Sequence, residues 1–469
     1  MLAAGLTLLL FFCWWFIGYA VVSVLRRGHL LQNMLLAPSI GTAVCVMCVF
    51  WLNRAGIPVG KFGPALGVCI LLGTAILWRR GRVVAPVRSY LPFAVLFLIA
   101  FALISWPMFR YGFNWVSISN DDMANYCLSA QRLYKYGYFE RLAPDVMAKN
   151  MDLSAYYIFL ADAGARIGSE MLLAFVMSLT RLSSHQVFMP VIMALHLSLL
   201  SASGALFLRH HRFRGWTLMA LATLGCSAEF TMGTIYQLIA QVFGLSLFAA
   251  CALLLMVRKE NTTRSVLVKQ GVLIALVFSA TLVVYAEIIP FLGLTCLLYW
   301  GLQLLRTHSI SGTRTYLLAG FVSIVFLNSH IPAALRFLTS QAQAGSGHFA
   351  GGEGAPVLYP FFLLPSGLAQ FWGFSPIGQI PLEPLLSAGI VFGGLLLIVS
   401  AILSLREAFN GVPVAFVSVA MFITAVGLAF KESDYGLFKI AMFIQPFLIP
   451  TLVGAWMRFT DKKLSERLA

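Results

Sequence analysis

Two adjacent carboxylates, Asp121 and Asp122, open the most polar stretch of the chain, SISNDDMANYCLSAQRLYKYGYFE, residues 117–140. Carboxylates in a first helical turn are favoured by the positive end of the helix dipole, and capping accounts for one of the pair. The other is left free to face a cavity. Adjacent carboxylates also suit Mg²⁺ or Mn²⁺, although nothing else in the sequence requires a metal. Ser119 or Asn120 serves as N-cap, and Met123, Tyr126, Ala130, Leu133 and Tyr134 recur at helical spacing. Lys135 sits in the last turn and Gly137 is the stop. The segment is therefore expected to be an amphipathic helix on the outer leaflet, with Asn125 and Arg132 on its polar face.

Other ionisable residues lie near the ends of apolar runs, where a charge turns toward a polar cavity or snorkels to the interface. Glu229 and Glu287 are such carboxylates, and Gln237 and Gln241, one turn apart, can point toward the same cavity as Glu229. With His330 at the start of a later polar segment, Glu229, Gln237 and Glu287 form the expected cavity lining. Lys431 and Lys439 bracket Glu432, Asp434 and Tyr435; an ammonium there needs an anion, and a lipid phosphate is a natural partner. His196, mid-run, is expected to be a hydrogen-bonded packing residue. Asp145, Asp152, Asp162 and Glu170 read as solvated loop charges.

The elements that must position these groups are membrane helices. Hydrophobic residues make up 60% of the 469 and charged ones 10%, with a mean hydropathy of +0.88, which excludes a water-soluble domain. Apolar runs of membrane-crossing length occur about thirteen times: 1–25, 31–52, 62–78, 90–108, 187–208, 215–233, 235–257, 267–286, 288–305, 314–330, 386–405, 411–429 and 437–457. The fold class is an all-α polytopic transmembrane helical bundle of about 13 spans, with an amphipathic helix in a long first external loop.

Basic residues cluster in alternate connections, such as RRGRVVAPVR at 79 and RFTDKKLSERLA at 458. This places the N-terminus outside and the C-terminus in the cytoplasm. The net charge of +15 is then topology and anionic-lipid contact, and it argues against nucleic acid. All but Glu260, Glu407, Asp461 and Glu466 of the 17 carboxylates lie on or near the outer side, so carboxylate chemistry is external. Seven of the eight cysteines sit in apolar runs, and the CVMC at 45 lacks His or acidic neighbours, which makes it a packing element. The N-terminal run has no basic residue before it and no small-residue cleavage site, which reads as a retained anchor.

Five segments follow: four N-terminal spans (1–109), an external catalytic loop (110–186), central spans (187–330), a flexible external loop (331–385) and three C-terminal spans with a cytoplasmic tail (386–469). Within the first loop, GSEMLLAFVMSLTRLSSHQ is short and flanked by charge and reads as interfacial. In the second, Arg336 lies near the membrane surface. A Gly/Ala/Ser run over 341–355 precedes Phe, Leu and Trp residues, a pattern that suits a lid over a lipid substrate or a plain connector.

Many spans, an outward carboxylate motif with a following amphipathic helix, and a later flexible external loop together resemble the GT-C superfamily of integral-membrane glycosyltransferases. NDDMANY is most similar to the paired-Asp motif of bacterial arabinofuranosyltransferases. The resemblance implies a polyprenyl-phosphate sugar donor and a glycan, lipid or protein acceptor. It implies Asp121 or Asp122 as catalytic base, and Lys439, Tyr435, Arg336 and Lys431 as holders of the donor phosphate. It also implies a bacterial inner membrane with a periplasmic active site, and no required cofactor. The chain departs from many such enzymes in placing this loop after the fourth span. An O-antigen-type polymerase or ligase, leaning on His330, Arg336 and His348, and a lipid-linked sugar flippase are the alternatives.

Overall fold

The computed structural model describes residues 1–26, 29–81, 86–118, 121–140, 166–208, 214–256, 263–310, 312–344, 365–375 and 382–468. Among them are nineteen α-helices and no strand. The first ten are α1 (Leu2–Leu25), α2 (Leu30–Arg54), α3 (Val59–Gly81), α4 (Val87–Ile104), α5 (Trp106–Tyr111), α6 (Asp121–Lys135), α7 (Gly168–Thr180), α8 (Ser184–Phe207), α9 (Arg214–Gly225) and α10 (Ala228–Ile235). The remainder are α11 (Ile239–Met256), α12 (Arg264–Val284), α13 (Ile289–Thr307), α14 (Thr313–Leu327), α15 (His330–Ala344), α16 (Ser366–Phe371), α17 (Leu385–Phe409), α18 (Pro413–Phe430) and α19 (Asp434–Leu468). Eleven helices are long and apolar enough to cross a membrane, or thirteen if two bent pairs each count as one span. The chain is thus an all-α, multi-pass membrane protein.

Two compact units share the chain: Met1–Ala205, Gly233–Ile289 and Ser311–Phe337 form the first, and Leu206–Met232, Pro290–Ile310 and Leu338–Ala469 the second. In the first, α1 and α2 cross so closely that a Cβ on Gly18 would lie 1.8 Å from the Ala37 carbonyl oxygen, and one on Gly41 1.9 Å from that of Trp14. Small residues of this kind let apolar helices approach where no hydrophobic force separates them from lipid. Several buried polar groups of this unit are paired, which offsets the cost of burying them: Arg26 donates to Asn33 (2.7 Å) and Gln32 (2.6 Å), and Ser39 meets Ser246 at 2.7 Å.

The helix α7 departs from the interfacial reading. Its residues from Gly168 to Ser178 are all buried, enclosed by α2, α3, α6, α11 and α12. A helix apolar on every side needs neighbours on every side, and at thirteen residues it is too short to cross the membrane alone.

The expected spans 314–330 and 215–233 are also corrected, because both are broken. The helices α14 and α15 meet at 98°, with Asn328 at φ +40, and α9 and α10 meet at 56°. Beyond the first break, α15 continues as helix to Ala344 where a loop was expected. Most of the expected lid, from 345 on, lies outside the described residues.

In the second unit, α19 packs against α9, α17 and α18. The short α16 lies against α17, where a Cβ on Gly393 would come 2.1 Å from the Leu368 carbonyl oxygen and Trp372 Nε1 donates to the Gly393 carbonyl at 3.0 Å. Arg458 and Glu407, which the charge rule assigns to one side, pair at 3.1 Å.

Candidate functional site

The Asp121–Asp122 pair forms the start of α6. Its expected cap, Ser119 or Asn120, lies outside the described residues. Asp122 is half-buried. Met123, Tyr126, Cys127, Ala130 and Leu133 are buried, on a helix packed against α7 and α3, so the apolar stripe expected to face lipid covers protein instead. Arg132, expected on the polar face, is buried as well: Nη2 donates to the Glu140 carbonyl at 2.5 Å and its guanidinium lies over the Tyr136 ring. Its charge is thereby spent on closing the turn after the helix.

Both ends of α6 are fastened. At the C-terminal end the Asn53 amide donates to the carbonyls of Ile57 (3.0 Å), Tyr136 (3.2 Å) and Leu133 (3.4 Å), and the Asn53 carbonyl accepts from Tyr138 N–H at 3.1 Å. Beside it Arg54 lies over Phe50, Tyr138 and Phe139 and donates to Ser329 Oγ at 2.6 Å. His330 packs edge-on against Phe50 at 5.2 Å. The ends of α2 and α6 and the start of α15 therefore meet.

At the N-terminal end, Ser117 Oγ donates to the Ile235 carbonyl at 2.8 Å, and Gln237 donates to the Val116 carbonyl and to Met123 Sδ. Gln237, fully buried at φ +65, thus holds the chain leading into the Asp pair. That is the structural position of this expected lining residue.

A part-buried charged cluster adjoins α6. Arg166 Nη1 pairs with Glu287 Oε1 at 2.8 Å, and the guanidinium lies about 6.0 Å from the Tyr285 and Phe337 ring centres. Glu287 Oε2 has no hydrogen-bond partner among the described residues. Tyr126 lies within electrostatic reach of Arg166, Glu170, Asp122 and Glu287, which ties the Asp motif to the cluster; burial pushes its phenol above the usual range.

Glu170, expected to be a solvated loop charge, is only 2% exposed. Burial pushes its carboxyl up to about 7, against the opposing pull of the Ser169 hydroxyl (2.6 Å), a backbone bond and Arg166. Such a group changes protonation near neutrality, as acid–base sites require. Sequence reasoning missed Arg166. The available signal was a lone Arg two residues ahead of an apolar helix, inside a loop already carrying carboxylates. Asp145, Asp152 and Asp162 lie outside the described residues.

The remaining candidates divide between the units. Arg336, exposed on α15, belongs to the first unit with Asp121, Asp122, Gln237, Glu287 and His330. Lys431, Tyr435, Lys439 and Glu229 belong to the second. There Lys439 Nζ lies 5.3 Å from the Tyr435 ring centre, a cation–π arrangement that fixes both groups, and Lys431 is exposed just after α18. Glu229 lines a cavity of about 590 Å³. His196 is buried and meets Thr234 Oγ1 at 2.8 Å. All eight cysteines are free. Among the described residues no three His, Cys, Asp or Glu side chains converge to hold a metal ion.

No protein-family description, curated protein or solved structure matches the chain.

Proposed function

We propose that this protein is an inverting glycosyltransferase that moves a sugar from a polyprenyl-phosphate donor to a glycan, lipid or protein acceptor. It works at the outer, periplasmic face of a bacterial cytoplasmic membrane. The observation that carries the reading is the start of α6: two adjacent carboxylates in the first turn of a helix fastened at both ends, beside a part-buried Arg166–Glu287 pair in a many-helix apolar bundle.

In the proposed reaction, Asp121 or Asp122 takes the acceptor hydroxyl proton as that oxygen bonds to the anomeric carbon from the face opposite the phosphate. The bond from the anomeric carbon to the phosphate oxygen breaks, and its electron pair leaves with polyprenyl phosphate. Arg336, in the same unit as the Asp pair, is the group proposed to hold that phosphate as charge returns to it. Arg166 and Glu287 are proposed to act on the Asp pair through their field at Tyr126. A divalent ion, if used, would rest on the Asp pair.

The test is turnover of purified protein in liposomes with a panel of polyprenyl-phosphate sugars, with the product's anomeric configuration read by NMR. An inverted glycoside is expected. A retained one, or movement of the lipid-linked sugar across the bilayer with no new glycosidic bond, overturns the proposal.

A further inference from the structure

Within the second unit, the broken pair α9–α10 opens onto a cavity of about 590 Å³, inside the range of about 300–1,000 Å³ typical of small-molecule sites. It is lined by Glu229, Gln445, Phe371 and Trp372, with Cys226 and Ser227 at the break itself. Broken membrane helices persist where they line a cavity, because the freed backbone groups need partners other than lipid. The rest of the lining is Thr223, Ala228, Gly373 and the Ile449, Leu452 and Val453 face of α19.

Two of its polar groups lack partners. Glu229 is 4% exposed and Gln445 3%, and neither Glu229 Oε2 nor Gln445 Nε2 has a hydrogen-bond partner among the described residues. Leaving buried polar atoms unmade is costly, so their chemistry specifies what completes them. A carboxyl oxygen accepts and an amide nitrogen donates. A cation would satisfy Glu229 and oppose Gln445; an anion would do the reverse. A hydroxyl satisfies both, donating to one and accepting from the other. Beside them Trp372, its indole N–H tied to the Gly393 carbonyl at 3.0 Å, and Phe371 offer aromatic surface for the apolar side of a ring.

We infer that this cavity is a binding site for a polyhydroxylated ring, a sugar, with Glu229 and Gln445 as hydroxyl-reading residues and Trp372 as the aromatic wall. The site stands on its own lining and does not depend on the transfer reaction proposed for the first unit. The ring can belong to a lipid-linked sugar or to a soluble glycan.

Cys226, exposed on the cavity lining, reports occupancy without turnover. The full chain in phosphatidylcholine nanodiscs is alkylated with iodoacetamide, and the Cys226 rate is followed by peptide mass spectrometry, with added glutathione as the reagent control. The probes are methyl hexosides, methyl pentofuranosides, polyprenyl-phosphate monosaccharides and sugar-free polyprenyl phosphate.

At least one sugar-bearing probe should slow Cys226 alkylation several-fold while glutathione alkylation is unaffected. Protection by methyl glycosides assigns a soluble glycan; protection by lipid-linked sugars alone assigns a lipid-linked sugar. Glu229→Gln and Gln445→Leu should each raise the half-protecting concentration about tenfold, the loss of one buried hydrogen bond. Protection should be unchanged in Asp122→Asn, so failure of the transferase reading leaves this result readable. The inference is overturned if no sugar protects, if sugar-free polyprenyl phosphate protects equally, or if both cavity variants protect like wild type.

Discussion

Replacing Glu170 with Gln should flatten the pH dependence of stability across the acidic range. The carboxyl is buried in α7, and its folded value of about 7 stands above the ordinary 4.5. Below 4.5 the group is neutral folded or unfolded, and its contribution is fully present. Between 4.5 and about 7 the unfolded chain ionises while the folded protein keeps its proton, so stability falls as pH rises; above 7 it levels off. At about 1.4 kcal/mol per pH unit this interval amounts to about 3 kcal/mol. The assay is thermal unfolding in detergent, in steps from pH 4.5 to 8.5, for wild type and Glu170→Gln side by side. The wild-type midpoint should descend relative to the variant by several degrees and then run parallel to it. Curves parallel throughout would refute the raised carboxyl and the enclosed position of α7.

Four further outcomes follow from the same contacts. Asn53→Leu removes a donor shared by three carbonyls and should cost about 2 kcal/mol, seen as a lower unfolding midpoint with faster amide exchange over 133–140. Arg166→Met and Glu287→Gln should each destabilise, while the double variant loses less than their sum by about 1 kcal/mol, as a double-mutant cycle on a contacting pair reads. Gly18→Val drives a side chain into the Ala37 carbonyl and should cost at least about 2 kcal/mol, measured by unfolding in detergent. Tyr435→Leu should lower the unfolding midpoint through loss of the Lys439 contact, worth about 0.5–1 kcal/mol, whereas Tyr435→Phe, which keeps the ring, should retain it.

Hydropathy makes the spans legible because a long apolar run has few alternatives, and the stripe of α6 is legible because Met123, Tyr126, Ala130 and Leu133 repeat at helical period. The reading breaks where a residue's partner is distant or irregular. Arg132 looks exposed on a helical wheel, but its acceptor, the Glu140 carbonyl, lies in a turn that has no period. Arg166 and Glu287 are 121 positions apart, so neither forecasts the other. Glu170 follows the spaced acids Asp145, Asp152 and Asp162 and reads as solvated; only the helices packed around α7 reveal its burial. The 98° corner after Leu327 carries no Gly, and Asn328, which tolerates positive φ, was its one local sign.

The most direct measurement is sugar transfer from polyprenyl-phosphate donors by wild type, Asp121→Asn and Asp122→Asn, with donor binding and folding followed in parallel. The proposed mechanism predicts that one variant stays folded, binds donor and loses turnover by about a hundredfold or more, as removal of a general base does. Normal turnover in both variants would reduce the pair to a helix cap and contradict the assignment.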